Sequence, residues 1–150
     1  MTGTPLQDYL PVAENTICNS FSNPVIQRYV ENIEKTVASS SIVLSSNIQK
    51  HFGPALETVY MKGHLLIIDS SILEIAIFAT ESRKTLSIEK YRLNYMSNTG
   101  QMLFRYDNAP HHPEIDTYPH HKHTSDKIVP STMPSLKDIL NEISAIIIGR

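Results

Sequence analysis

From Ile42 to Asp107 the apolar residues recur with a period close to two. That alternation is the strongest constraint on the fold. A strand turns successive side chains to opposite faces, so a long alternating stretch broken by turns commits this half of the chain to one antiparallel sheet. ILEIAIFAT, Ile72 to Thr80, is apolar on nearly both faces, which predicts a central strand. Ile88 to Met96 aligns Tyr91, Leu93 and Tyr95. Asn98-Thr99-Gly100 has the form of a three-residue hairpin loop with glycine at the left-handed position, and Met102, Phe104 and Tyr106 share a face on the return. Upstream, Leu56 to Asp69 forms a strand in which Gly63 suggests a bulge, and Asp69-Ser70-Ser71 forms a turn. IVLSSNIQKHF, Ile42 to Phe52, is assigned as a strand over the alternative of a second short helix.

Helical periodicity flanks this region. Asn23-Pro24 offers an N-cap followed by proline at the first helical position, and Ile26, Tyr29, Val30, Ile33 and Val37 make one apolar face to about Ser39. Near the end, Ser135 and Asp138 have capping-box spacing. Leu136, Ile139, Leu140, Ile143, Ile146 and Ile147 form a broad stripe, with Gly149 as C-cap. The expected fold is α+β: an antiparallel four- to five-stranded meander sheet packed with an N-terminal and a C-terminal helix, its other face left for a partner. Residues 1–22 show no apolar period and include Pro5 and Pro11, so they are expected to be a loosely ordered N-terminal extension to a single domain at 23–150.

Composition excludes several classes. With 150 residues, 41% hydrophobic and 19% charged, the chain has the size and polarity of one globular domain. Its longest apolar runs, such as Ile75 to Ala79, are too short to span a bilayer, and the first residues lack the basic start of a secretory signal. A single cysteine, Cys18, excludes an intrachain disulfide and fits a reducing cytoplasm. At a net charge of −2, contact with RNA must come from a local patch.

Five of the seven histidines fall in His111 to His123, interleaved with prolines, within RYDNAPHHPEIDTYPHHKH. If Pro119 to His123 is extended, His121 and His123 point one way and His120 the other. Two histidines at i and i+2 can hold a metal such as zinc, with His111 or His112 as a third ligand and Asp107 or Asp116 behind a ring, although no cysteine and no established zinc spacing is present. Acid–base chemistry on RNA needs no metal. His120, His121 and His123 are the proton-transfer candidates, Arg105 the phosphate contact and Asp107 the orienting group. Lys122, His111, His112 and Tyr106 are the substrate-binding candidates. A purely structural role, with rings bonded to backbone groups of a proline-broken loop, competes with both. His51 and His64 read as surface or packing residues, and Tyr91, Tyr95, Phe104 and Tyr106 as cross-strand packing. The isoleucine-rich stripe reads as core, and also fits a homodimer or partner surface.

The histidine segment, the S-x-x-P-S-L start at Ser131 to Leu136, IDSSILEI and YRLNYMSNTGQMLFRYDN together resemble the TumE-like family across roughly Val25 to Ile147. One departure is Ser70, where an IDGS-type turn would carry glycine. The resemblance implies a cytoplasmic toxin of a prokaryotic toxin–antitoxin pair, partnered by a small DNA-binding antitoxin. By analogy with other toxins of this size it implies action on RNA as a metal-independent endoribonuclease. The alternative is a non-enzymatic metal- or partner-binding module of the same pair.

Overall fold

The computed structural model describes residues 24–149; the extension at 1–22, the Asn23 cap and Cys18 lie outside them. Helix α1 (Val25–Ser39) leads into seven strands and a closing helix α2 (Leu136–Ile148). The strands are β1 (Val43–Phe52), β2 (Thr58–Ile67), β3 (Ile72–Ser82), β4 (Thr85–Met96), β5 (Met102–Asp107), β6 (His121–Thr124) and β7 (Ile128–Pro130). They lie in chain order in one antiparallel sheet, an uninterrupted meander. The α+β class is as expected, but the sheet has seven strands, not four or five. The additions, β6 and β7, span four and three residues, too few alternations to register as a period.

One face of the sheet carries the core. Val59, Met61, Leu65 and Ile67 of β2, Leu73, Ile75, Ile77 and Ala79 of β3, Tyr91, Leu93 and Tyr95 of β4, and Phe104 and Tyr106 of β5 are buried there with Ile26, Val30 and Ile33 of α1. Leu136, Ile139, Leu140 and Ile143 of α2 join the same cluster, and Ile146 and Ile147 pack at its margin. The isoleucine stripe is therefore spent on the core. Ser135 and Asp138 make the reciprocal capping box, whereas Gly149 caps α2 without left-handed backbone, at φ −80°. The position before α1 is Pro24, which offers no side-chain cap; Glu81 at the end of β3 accepts from the Ile26 N–H instead, at 3.2 Å.

Three connections among the described residues use left-handed residues that are not glycine; between β1 and β2 these are Ala55 and Leu56, with φ of 53° and 57°. The β3–β4 hairpin closes on Arg83-Lys84 with φ of 50° and 62°. Primed turns favour Asn-Gly, so the bare basic pair carries no hairpin signal. Between β2 and β3, Ser70 has φ 66°, while Asp69 Oδ1 accepts from the Ser71 N–H at 3.1 Å. The left-handed region costs an L-residue about 1–2 kcal/mol, some of which glycine's greater unfolded freedom takes back. Ser70→Gly is therefore expected to stabilise the protein by about 0.5–1 kcal/mol. The gain should appear as a higher urea midpoint at unchanged slope, and an unchanged midpoint would count against this turn geometry.

Gly63 is not a bulge. It pairs in register with Ile48 and Ile75, and the irregularities lie at Val43/Ser45, Phe78/Ala79 and Tyr95/Met96. Glycine is required there because a Cβ would overlap the Asn47 carbonyl oxygen and the Ile48 Cα.

Candidate functional site

The sheet register sorts the polar residues. Directly paired residues share a face, and one row runs Lys62, Ala76, Arg92, Asp107, His121. The next runs His64, Glu74, Asn94, Arg105, His123, and a third begins Tyr60, Phe78, Lys90. All three lie opposite the helices. Tyr60, Phe78, Lys90, Arg92 and Arg105 floor an open groove of about 780 Å³ that His111 also lines, and Lys62, His64 and Glu74 line a second one that shares Ala76 and Arg92 with it.

At one end of this face stands the histidine cluster. Pro110, Pro113 and Pro119 deny the 108–120 segment a ladder, so it folds back through local turns such as Ile115 N–H to the His112 carbonyl. It thereby lays His111 and His112 over His121 and His123 of β6, with ring centroids 4.2–5.9 Å apart. His121 is 1% exposed. Its Nδ1 lies 2.9 Å from the Pro119 carbonyl, so that nitrogen carries the proton and donates. Its Nε2 lies 3.0 Å from both Asp107 Oδ1 and His123 Nε2. Arg105 donates from Nε to Asp107 Oδ2 at 2.8 Å and from Nη2 to His123 Nε2 at 2.9 Å. The Ala109 N–H also donates to Asp107.

The expected site residues divide between the two faces. Arg105, Asp107, His111, His112, His121 and His123 come together. His120 does not: it precedes β6 and points the other way, its Nδ1 meeting the Tyr91 hydroxyl at 3.0 Å. Lys122 and Tyr106 also face the helices. Lys122 pairs with Glu142 of α2 and sits over the rings of Phe104 and Tyr106, while the Tyr106 hydroxyl donates to Glu142 at 2.8 Å. Tyr95 and Phe104 pack in contact within the core, and His51 and His64 are exposed on strands away from the cluster.

A family model described as Toxin TumE matches residues 33–149. The chain belongs to the TumE toxin family. No curated protein and no solved structure matches it. Membership makes this TumE-family chain a toxin of a toxin–antitoxin system, with a cognate antitoxin as its partner. No described helix is long and apolar enough to cross a membrane.

Electrostatics within the TumE-family site follow from burial. Burial alone would raise the Asp107 carboxyl, but the bonds from the Ala109 N–H and Arg105, joined by the charge of His121 where that ring is protonated, outweigh it and hold it below its ordinary value. Burial, aided by the Arg105 charge, pushes the His123 ring down to about 4 despite the nearby Asp107 carboxylate. The unfolded ring, near 6.5, takes its proton first, so the stability due to His123 is complete above about pH 6.5 and drains as pH falls to about 4. In chelator-containing buffer the expected loss across that window is up to about 3 kcal/mol. Urea midpoints from pH 7 to 4 measure it, and a His123→Gln profile as steep as wild type would remove the assignment. Asp107 adds a further loss only below about pH 4.

Sequence reading missed Tyr60, Lys62, Phe78, Lys90 and Arg92. The signal was present, since these residues occupy the alternate positions of strands whose other face is apolar. Without the register, nothing connected them to the histidines.

Proposed function

We propose that this toxin acts on single-stranded RNA, cleaving it at the histidine cluster while the strand lies across the open face of the sheet. The carrying observation is the run of Lys62, Lys90 and Arg92, whose side chains form no hydrogen bond or ion pair among the described residues. They lie beside the rings of Tyr60 and Phe78, and the run leads to Arg105 and the cluster. Single strands bind such surfaces by stacking bases on rings and laying phosphates along cations. Cleavage needs a proton acceptor for the 2′-hydroxyl, a donor for the leaving oxygen and positive charge at the phosphate. The cluster supplies the proton-transfer groups and Arg105 the charge. Asp107, bonded to Arg105 and His121, positions both. The antitoxin is taken to be a small DNA-binding protein that restrains this activity in the cytoplasm.

The test uses purified full-length chain and single-stranded RNA. Wild type is expected to cleave. Lys90→Ala with Arg92→Ala should weaken RNA binding and lower its salt slope by about two. His111→Ala with His112→Ala should reduce cleavage by about 10²–10⁴. Intact RNA together with undiminished growth arrest would replace this reading with a non-enzymatic binding module.

A further inference from the structure

We infer that His111, His112, His121 and His123 form a site for one divalent transition-metal ion of the imidazole-preferring kind. One potential ligand atom from each lies within 4.8 Å of the other three. A tetrahedral ion with metal–nitrogen bonds of about 2.0–2.1 Å holds its ligands about 3.3 Å apart, so modest ring rotations close the site.

The placement of ring protons favours a cation as well. A neutral imidazole has one N–H. That of His121 is spent on the Pro119 carbonyl from Nδ1. The Nδ1 of His112 faces the Glu114 carboxylate at 3.1 Å, which also accepts only. In both rings the Nε2 lone pair is left pointing away from the supporting oxygen, the pattern by which protein oxygens orient metal-binding histidines. The His121 lone pair then meets Asp107 Oδ1 and His123 Nε2, each at 3.0 Å. His123 Nε2 is itself an acceptor, because the guanidinium of Arg105 can only donate to it. Three electron-rich atoms thus converge with no N–H between them. A proton on His121 would serve one of these contacts and leave the loop pair without a purpose, whereas a metal cation serves all four rings.

Imidazoles without thiolates favour zinc, copper, nickel or iron over magnesium or calcium. Asp107 and Glu114 offset part of the charge. Arg105 Nη2 is the competitor for the His123 lone pair, so an entering ion displaces it toward the groove, where the phosphate would lie. For the RNA reaction, exchange of one loop histidine for water would open a position on the ion, and that acidified water would serve as proton acceptor in place of a free imidazole.

The test titrates Zn²⁺ into chelator-stripped, tag-free, full-length protein by calorimetry, with Co²⁺ absorption as a second readout. One ion per chain and the visible bands of tetrahedral Co²⁺ are expected. Glu114→Gln should weaken binding about tenfold, and His111→Ala with His112→Ala at least about 100-fold. These loop variants carry the test because His121 is buried and its loss threatens the fold. Absence of saturable binding, or wild-type affinity in the loop double variant, overturns the site. Because no RNA is present, the two readings fail separately. Stoichiometric metal with intact RNA counts against the function proposed above, and RNA cleavage by a chain that binds no ion counts against this site alone.

Discussion

Asp107→Ala is expected to destabilise the protein by about 3–5 kcal/mol, because removing one member of a buried charge cluster leaves its partners uncompensated. The carboxylate is 5% exposed and takes bonds from the Arg105 Nε and the Ala109 N–H while lying against His121. Without it, Arg105 stands over His121 and His123 with no negative neighbour in the rows around it except Glu74, which is bonded to Asn94. The loop also loses the anchor that starts its return toward the histidines. Asp107→Asn keeps an acceptor for one donor but not the charge, and should fall between alanine and wild type. Urea denaturation of the three proteins decides it. A loss below about 1 kcal/mol would mean that the pairs contribute no more than exposed ones do.

The second large effect is steric. Gly63→Ala should cost about 3 kcal/mol or more, since the new methyl meets the backbone of Asn47 and Ile48, and only a shift of β1 away from β2 relieves the overlap. Gly53→Ala provides the contrast. A Cβ there meets the side-chain hydroxyl of Thr58, which can rotate away, so its cost should stay below about 1 kcal/mol. Comparable losses at the two positions in thermal or urea unfolding would argue against the close approach of β1 to β2.

Much of this architecture was legible because period and turn chemistry are local. The capping box at Ser135 and Asp138, the glycine of the Asn98-Thr99-Gly100 hairpin (φ 83° at Gly100) and the apolar parity of β3 and β4 each follow from residues a few positions apart. What escaped was either too short, as with β6 and β7, or written in residues that usually mean something else. Arg83-Lys84 closes a hairpin without glycine, and Gly63 accommodates a neighbouring strand instead of a bulge.

The candidate site divides along the same line. Alternation alone assigned His121 and His123 to one side, because residues two apart in a strand share a face. The sequence by itself thus determined the sheet, the helices around it and a segment dense in proton and metal chemistry. Only the tertiary structure decided which of those histidines meet. His111 and His112 belong to a proline-broken loop whose path is set by distant partners, among them the Thr117 hydroxyl that accepts from the Ser131 N–H at 2.9 Å. Likewise, Lys122 is tied to Glu142 only because α2 crosses that face. Contacts of that range have no period to betray them.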